Sequence, residues 1–167
     1  MEFTKITPED ITDNMFKAIS KDWMLITAGG ADGLNTMTAS WGSTGQLWGK
    51  NVATCYIRPT RYTLGFMEEN DYYTLSFYNE KYRKQLNICG TQSGRDIDKV
   101  KATGFTPVYA NCGAPYFEEA RLVLVCRKLY VDEFKPENFV MKSIDKWYPE
   151  KDYHKVFIGE ILEVLKK

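Results

Sequence analysis

Arg121-Leu-Val-Leu-Val-Cys-Arg-Lys-Leu-Tyr130 is the stretch on which the fold turns. Its centre, Leu122-Val123-Leu124-Val125-Cys126, is apolar at every consecutive position, so the strand it predicts has no face made for water. The closing segment from Tyr153 to Leu165 is also a strand, and from 156 to 165 it has the same two-sided apolar character. Such strands suit a barrel whose outside is covered by helices or by a second subunit.

The segments before it supply the rest of the sheet. Trp23 to Thr27 reads as a strand ending at Gly29-Gly30; Asp32-Gly33 makes a turn, and Asn35 to Trp41 returns as the second arm of a hairpin. Asn51 to Ile57 is a further strand, stopped by Arg58-Pro59. Asp71 to Tyr78 alternates Tyr73, Leu75 and Phe77 against Tyr72, Thr74 and Ser76. Helical signals are short. Thr7-Pro8-Glu9-Asp10 predicts a helix start, with Ile11, Met15, Ala18 and Ile19 on one face. Thr60 is expected to cap a helix through Met67, Glu80 to Cys89 to form another with Gly90 at its C′ position, and Asp96 to cap a last one ending at Gly104. The strands do not alternate with helices, so an antiparallel barrel with peripheral helices is expected rather than a doubly wound parallel sheet.

Composition narrows the chemistry. The 167 residues hold 22 Lys+Arg, 22 Asp+Glu and one His, which gives no electrostatic reason to expect nucleic acid or an acidic membrane surface. A single His rules out a multi-histidine metal site within one subunit. Cys55, Cys89, Cys112 and Cys126 contain no Cys-x-x-Cys pair, so zinc spacing and a thioredoxin-like motif are both missing; they read as free, mostly buried thiols of a cytoplasmic protein. There is no secretory signal and no run approaching the roughly 18 apolar residues of a membrane span. The chain reads as one domain, 1–167.

Three segments carry candidate chemistry. Asn35-Thr36-Met37-Thr38-Ala39-Ser40-Trp41 is small and rich in hydroxyls; it is either a half-exposed hairpin arm or a strand edge lining a ligand, where small side chains let the ligand reach the backbone. Arg58-Pro-Thr60-Arg61-Tyr-Thr63 sets two arginines and two hydroxyls at a strand-to-helix junction, which favours an anion over a plain surface ion-pair site. Cys89-Gly90-Thr-Gln-Ser93-Gly94-Arg95-Asp-Ile-Asp-Lys99 is an ordinary helix-to-helix loop on its own, but its glycines allow amides to converge on an anion and Arg95 and Lys99 add charge; with the second segment it suggests one shared phosphate pocket. Gly45-Gln-Leu-Trp-Gly49-Lys50-Asn51 is one residue short of a phosphate-loop spacing and lacks its Ser/Thr, so it is set aside. His154 is expected as a partly exposed residue of the last strand, with no partner evident.

In order and spacing these segments, with Tyr73-Thr-Leu-Ser-Phe77, Ala114-Pro-Tyr-Phe-Glu-Glu-Ala120 and the closing Tyr153-His154 to Glu160, resemble the flavin reductase-like family, the FMN-binding split β-barrels that include flavoredoxin. The resemblance spans about residues 15–165. It implies a mainly β protein with short helices, a six-stranded antiparallel split β-barrel forming a homodimer with FMN as cofactor. It places Asn35, Thr36, Met37, Thr38, Ala39, Ser40 and Trp41 beside the isoalloxazine ring. Arg58, Thr60, Arg61 and Thr63, with Cys89, Gly90, Ser93, Gly94, Arg95 and Lys99, would surround the phosphate, the ribityl chain or the ring's polar edge. Lys99 and Asn35 would lie nearest that edge, with Lys99 tuning the flavin. NAD(P)H would be the electron source and the acceptor stays open. So does an electron-shuttle protein without efficient NAD(P)H oxidation, or a module for another phosphorylated ligand such as pyridoxal phosphate.

Overall fold

The computed structural model describes residues 2–167. Ten strands run in chain order: β1 (Thr4–Ile6), β2 (Met24–Gly30), β3 (Gly33–Ala39), β4 (Gly42–Leu47), β5 (Lys50–Ile57), β6 (Tyr72–Phe77), β7 (Pro107–Tyr109), β8 (Pro115–Phe117), β9 (Leu122–Glu133) and β10 (Lys155–Lys166). Eight form one antiparallel sheet in the order β3-β2-β6-β9-β10-β5-β4, with β1 also paired to β10; β7 and β8 form a separate hairpin. The architecture is the split barrel, with more strands than the six expected. The helices are α1 (Met15–Lys17), α2 (Thr63–Glu69), α3 (Arg83–Thr91) and α4 (Lys99–Thr103).

The two segments that decided the fold pair with each other, Leu122 opposite Lys166 and Glu133 opposite Lys155. Leu122, Leu124 and Cys126 point into the barrel with Met24, Ile26, Tyr73, Leu75, Phe77 and Phe157. Val123 and Val125 point outward and are covered by Leu86 and Cys89 of α3, Phe105 and Phe117. Each such side chain taken from water contributes roughly 1.5–3 kcal/mol, so both faces help hold β9 in place. From Arg127 onward the strand is no longer buried on both faces. Gly159, at an irregularity in the β9–β10 register, leaves room for the Tyr73 ring: a Cβ there would overlap the Tyr73 hydroxyl and lie 2.9 Å from Cζ.

Several expected boundaries move. The predicted first helix is broken: a 3₁₀ turn at Pro8–Asp10 ends at Ile11, and α1 restarts at Met15, continuing as a π turn over Ala18–Asp22. Asp10 takes hydrogen bonds from the Thr7 amide and hydroxyl, and these tighten the turn instead of launching a helix. Asp98, not Asp96, caps α4, accepting from the Lys101 amide. Thr60 does not cap α2, which begins at Thr63 after a turn closed by Arg61 N–H to Arg58 C=O. Gly90 lies inside α3, which runs on to Thr91. Cys112 is only half-buried, unlike Cys55, Cys89 and Cys126. Strand β4 escaped the sequence because Gly42-Ser-Thr-Gly-Gln-Leu47 has no apolar alternation; its hairpin with β5 turns on Trp48 (φ 51°) and Gly49 (φ 68°), both left-handed as a two-residue turn of this kind requires.

Candidate flavin site

The three singled-out segments meet around one end of α3. Its C-terminal carbonyls form the negative end of the helix dipole, and three carbonyls of its last two turns take donors from other segments. The Thr38 hydroxyl donates to Leu86 C=O. Arg61 donates from Nη1 to Gly90 C=O at 2.9 Å and from Nη2 to Cys89 C=O at 3.3 Å. Lys99 Nζ reaches the same Cys89 carbonyl at 2.8 Å and the Thr36 carbonyl of β3, also at 2.8 Å. Two cations from different segments therefore share one carbonyl oxygen. This corrects the expectation that Gly90 offers its amide to an anion: it lies within the helix, and it and Cys89 offer carbonyls that hold Arg61 and Lys99.

Lys99 is buried, and its ammonium is pulled down to about 8, first by burial and further by Arg61, while the Cys89 thiol opposes the shift. Burial pushes that thiol up to about 11, with Lys99 and Arg61 pulling the other way. Burial also lowers Arg61. Among the described residues no carboxylate pairs with Arg61, Arg95 or Lys99. This cluster of positive charge lacks a counter-ion among the described residues.

Two hollows lie along strand β3. Toward its C-terminal end a cavity of about 200 Å³ is lined by Met37, Thr38, Ala39, Ser40, Trp41, Tyr56, Arg58, Arg61 and His154. Toward its N-terminal end a cavity of about 390 Å³ takes in Asn35, Thr36, Tyr62, Phe66, Gly94 and Lys99. Asn35 is buried and donates from Nδ2 to the Thr63 hydroxyl at 2.8 Å, so Thr63 turns toward β3. The Thr36 hydroxyl pairs with Thr27 at 2.8 Å. Gly94 packs directly on Asn35 and Tyr62: a Cβ there would overlap Asn35 Oδ1 and lie 2.8 Å from Tyr62 Cδ1. The Arg95 guanidinium lies 4.9 Å over the Tyr62 ring and donates to Thr60 C=O at 3.3 Å, and the Ser93 hydroxyl accepts from the Arg95 amide. Of the expected site residues, Thr60, Ser93 and Arg95 are thus at the rim, while the others line the hollows or brace their walls.

Arg58 is held from a direction the sequence did not suggest. Nη1 pairs with Asp152 at 2.8 Å, Nη2 donates to Trp147 C=O at 2.9 Å, and the guanidinium lies 5.0 Å over the Tyr148 ring. His154 is buried rather than half-exposed and precedes β10. Its Nδ1 is 2.8 Å from the Tyr148 hydroxyl, and its ring packs 5.1 Å from Trp41. Tyr56, Trp147, Tyr148 and Asp152 were missed as site residues. Only Tyr56 had a signal, because it alternates with the inward-facing Cys55 along β5.

Residues 16–166 match the model of the flavin reductase like domain. The chain belongs to that family. Solved structures with the same fold include flavoredoxin from Methanosarcina acetivorans (22% identity, 98% of this chain and 76% of that one, TM-score 0.71). A second is an FMN-binding protein from Thermus thermophilus with bound 1-cyclohex-2-enone (21%, 86% and 69%, 0.69). A third is an FMN-binding domain of a flavin reductases-like enzyme from Shewanella baltica OS155 (16%, 99% and 78%, 0.72). No curated protein compared with the chain matches it. The family membership makes sense of the convergence of a hydroxyl-rich strand, an exposed-edge tryptophan and unpaired cations at the end of α3.

Proposed function

We propose that this member of the flavin reductase-like family binds FMN and moves electrons from NAD(P)H to an acceptor whose identity is open. The observation that carries the reading is the cation cluster without a protein counter-ion, Arg61 and Lys99 joined at Cys89 C=O, beside the Thr38–Trp41 edge of β3. Such a donor set fits a flavin nucleotide: guanidinium and hydroxyl donors suit a phosphate and a polyol, and Trp41 offers a flat wall for a ring. Arg58 and Arg61 hold the phosphate; Ser40 supplies a donor along the strand edge, while the Thr38 hydroxyl, its hydrogen given to Leu86 C=O, ties that edge to α3. Lys99 props the Thr36 carbonyl and keeps positive charge behind β3. Once bound, FMN supplies the hydride and electron chemistry, and the protein supplies orientation and electrostatics. No protein base is required for hydride transfer, which suits a chain with one His.

The whole chain, 1–167, acts on this reading as one domain of a cytoplasmic homodimer. Exposed Phe16, Trp48 and Trp147 are consistent with a covering partner. Among the described residues no helix is long and apolar enough to cross a membrane. The test is titration of the purified protein with FMN, followed by anaerobic addition of NADH or NADPH. A protein that takes up no FMN sinks the proposal; one that takes it up without bleaching by either nucleotide is an electron shuttle instead.

A further inference from the structure

The one histidine of the chain sits in the wall of the small hollow and is tied to Tyr148, a residue outside the Arg61–Lys99 cluster. Tyr148 leaves the 3₁₀ segment Lys142–Trp147 and is held on three sides. Arg58 lies over its ring at 5.0 Å, Phe139 stacks against it at 6.0 Å and 11°, and its hydroxyl meets His154 Nδ1 at 2.8 Å. The second ring nitrogen, Nε2, has no hydrogen-bond partner among the described residues, yet it is not among the sealed, unpartnered polar atoms of the interior. His154 thus lines the hollow with one ring nitrogen engaged and the other without a partner among the described residues.

Resting on the flavoprotein reading, we propose that Tyr148 is a positioning residue: its hydroxyl donates to His154 Nδ1, fixes the Nε2–H tautomer, and so aims an N–H at an oxygen of the bound flavin nucleotide. The direction of the bond follows from the groups around it. A neutral imidazole has one donor and one acceptor nitrogen. If Nδ1 carried the hydrogen, the tyrosine proton would have no acceptor within the cluster. Charge points the same way. Arg58 and Arg61 are the cations in the hollow, Asp152 is neutralised by Arg58, and Tyr56, Tyr148 and Tyr153 are the other titratable groups nearby. Burial first, then Arg58, pulls the imidazole down to about 4, with Asp152 opposing, so the ring is neutral under ordinary conditions. The rim of the hollow is then rich in donors, with two guanidiniums, the Ser40 hydroxyl and Nε2–H. Such a rim recognises oxygen acceptors, whether from a phosphate or from a ring carbonyl.

A single histidine makes the test direct, because selective ¹⁵N-histidine labelling gives one imidazole whose coupling pattern reports its tautomer. In the FMN-free protein at pH 7 the Nε2–H form is expected, and Tyr148→Phe is expected to give a mixture of tautomers. An Nδ1–H form in the unsubstituted protein, or no change in Tyr148→Phe, overturns the positioning role whether or not FMN binds. FMN is then added, with uptake read independently from its absorbance. A shift of the Nε2 resonance on uptake supports the contact. A shift with FMN but not riboflavin assigns the oxygen to the phosphate; the same shift with both assigns it to the ring or ribityl chain. Uptake with no shift from either overturns the contact and leaves the flavoprotein reading standing. Failure of uptake overturns that reading and the contact together, while the tautomer is still decided. His154→Gln, whose amide nitrogen can replace Nε2–H, is expected to hold FMN within about twofold of the unsubstituted protein, and His154→Asn to weaken it about fivefold. Equal affinities for the two also overturn the contact.

Discussion

Gly94 is where the α3–α4 loop presses on β3, and adding one methyl there tests whether the site is built as described. Its φ is not in the left-handed region, so Gly94→Ala is not strained by the backbone; the effect is steric. The new Cβ would overlap Asn35 Oδ1 and sit 2.8 Å from Tyr62 Cδ1. Asn35 cannot swing away freely, because it is buried and bonded to Thr63 at 2.8 Å. Overpacking of this kind costs about 1–3 kcal/mol, and loss of the Asn35–Thr63 bond about 1 kcal/mol. A net loss of about 2 kcal/mol is expected, or roughly 4–8 °C in Tm for a chain this long. The assay is urea unfolding of Gly94→Ala, Asn35→Ala and the double variant. If Asn35 is the obstacle, the double variant is less destabilised than the two single losses summed, with a coupling of about 1–2 kcal/mol. A Gly94→Ala protein within about 0.5 kcal/mol of the parent, or one equally destabilised without the Asn35 side chain, would refute the packing argument.

Other expectations follow from the same geometry. Arg58→Ala with Arg61→Ala should weaken FMN binding at least tenfold, since charge-assisted bonds contribute about 1.5–3 kcal/mol each; unchanged affinity by fluorescence titration removes the phosphate assignment. Lys99 is held below its unfolded value, from 10.5 to about 8, so the unfolded chain binds more protons between those values. Lys99 therefore penalises the fold below pH 8, and the penalty fades as pH rises toward 10.5. The stability of the parent relative to Lys99→Met, from urea midpoints, should increase across that window; a flat difference contradicts the burial of the charge. Cys55 behaves oppositely: burial raises its thiol from 9.0 to about 12, so its neutral form supports the fold at low pH and that support is lost as pH climbs through the interval. Cys55→Ala should flatten the alkaline fall in stability. Gly159→Ala should cost more than about 2 kcal/mol because Tyr73 fills its space, and Tyr73→Phe should recover part of the loss in a double-mutant thermal melt.

Much of the barrel could be read in advance because strand pairing rests on local patterns. The two-sided apolar run of Leu122–Cys126 and the alternation at Tyr73, Leu75 and Phe77 state burial directly. β4 could not be read that way, since glycines and hydroxyls at a sheet edge bury too little to leave a pattern. The first helix failed for a related reason. Thr7 and Pro8 are sound start signals, but three residues of 3₁₀ turn satisfied them.

The sequence alone was sufficient for the residue types of the site: hydroxyls along β3, arginines at the end of β5, and a basic loop before α4. Their partners were decided only in three dimensions. Arg61 and Lys99 are 28 and 10 residues from Cys89, and nothing in that spacing says that both reach its carbonyl. Arg58 meets Asp152 across 94 residues, and the chain's one histidine became a buried, neutral ring because a distant Trp41 and the local Tyr148 close around it. Side-chain type is set residue by residue; protonation and hydrogen-bond direction depend on what the fold packs against each group.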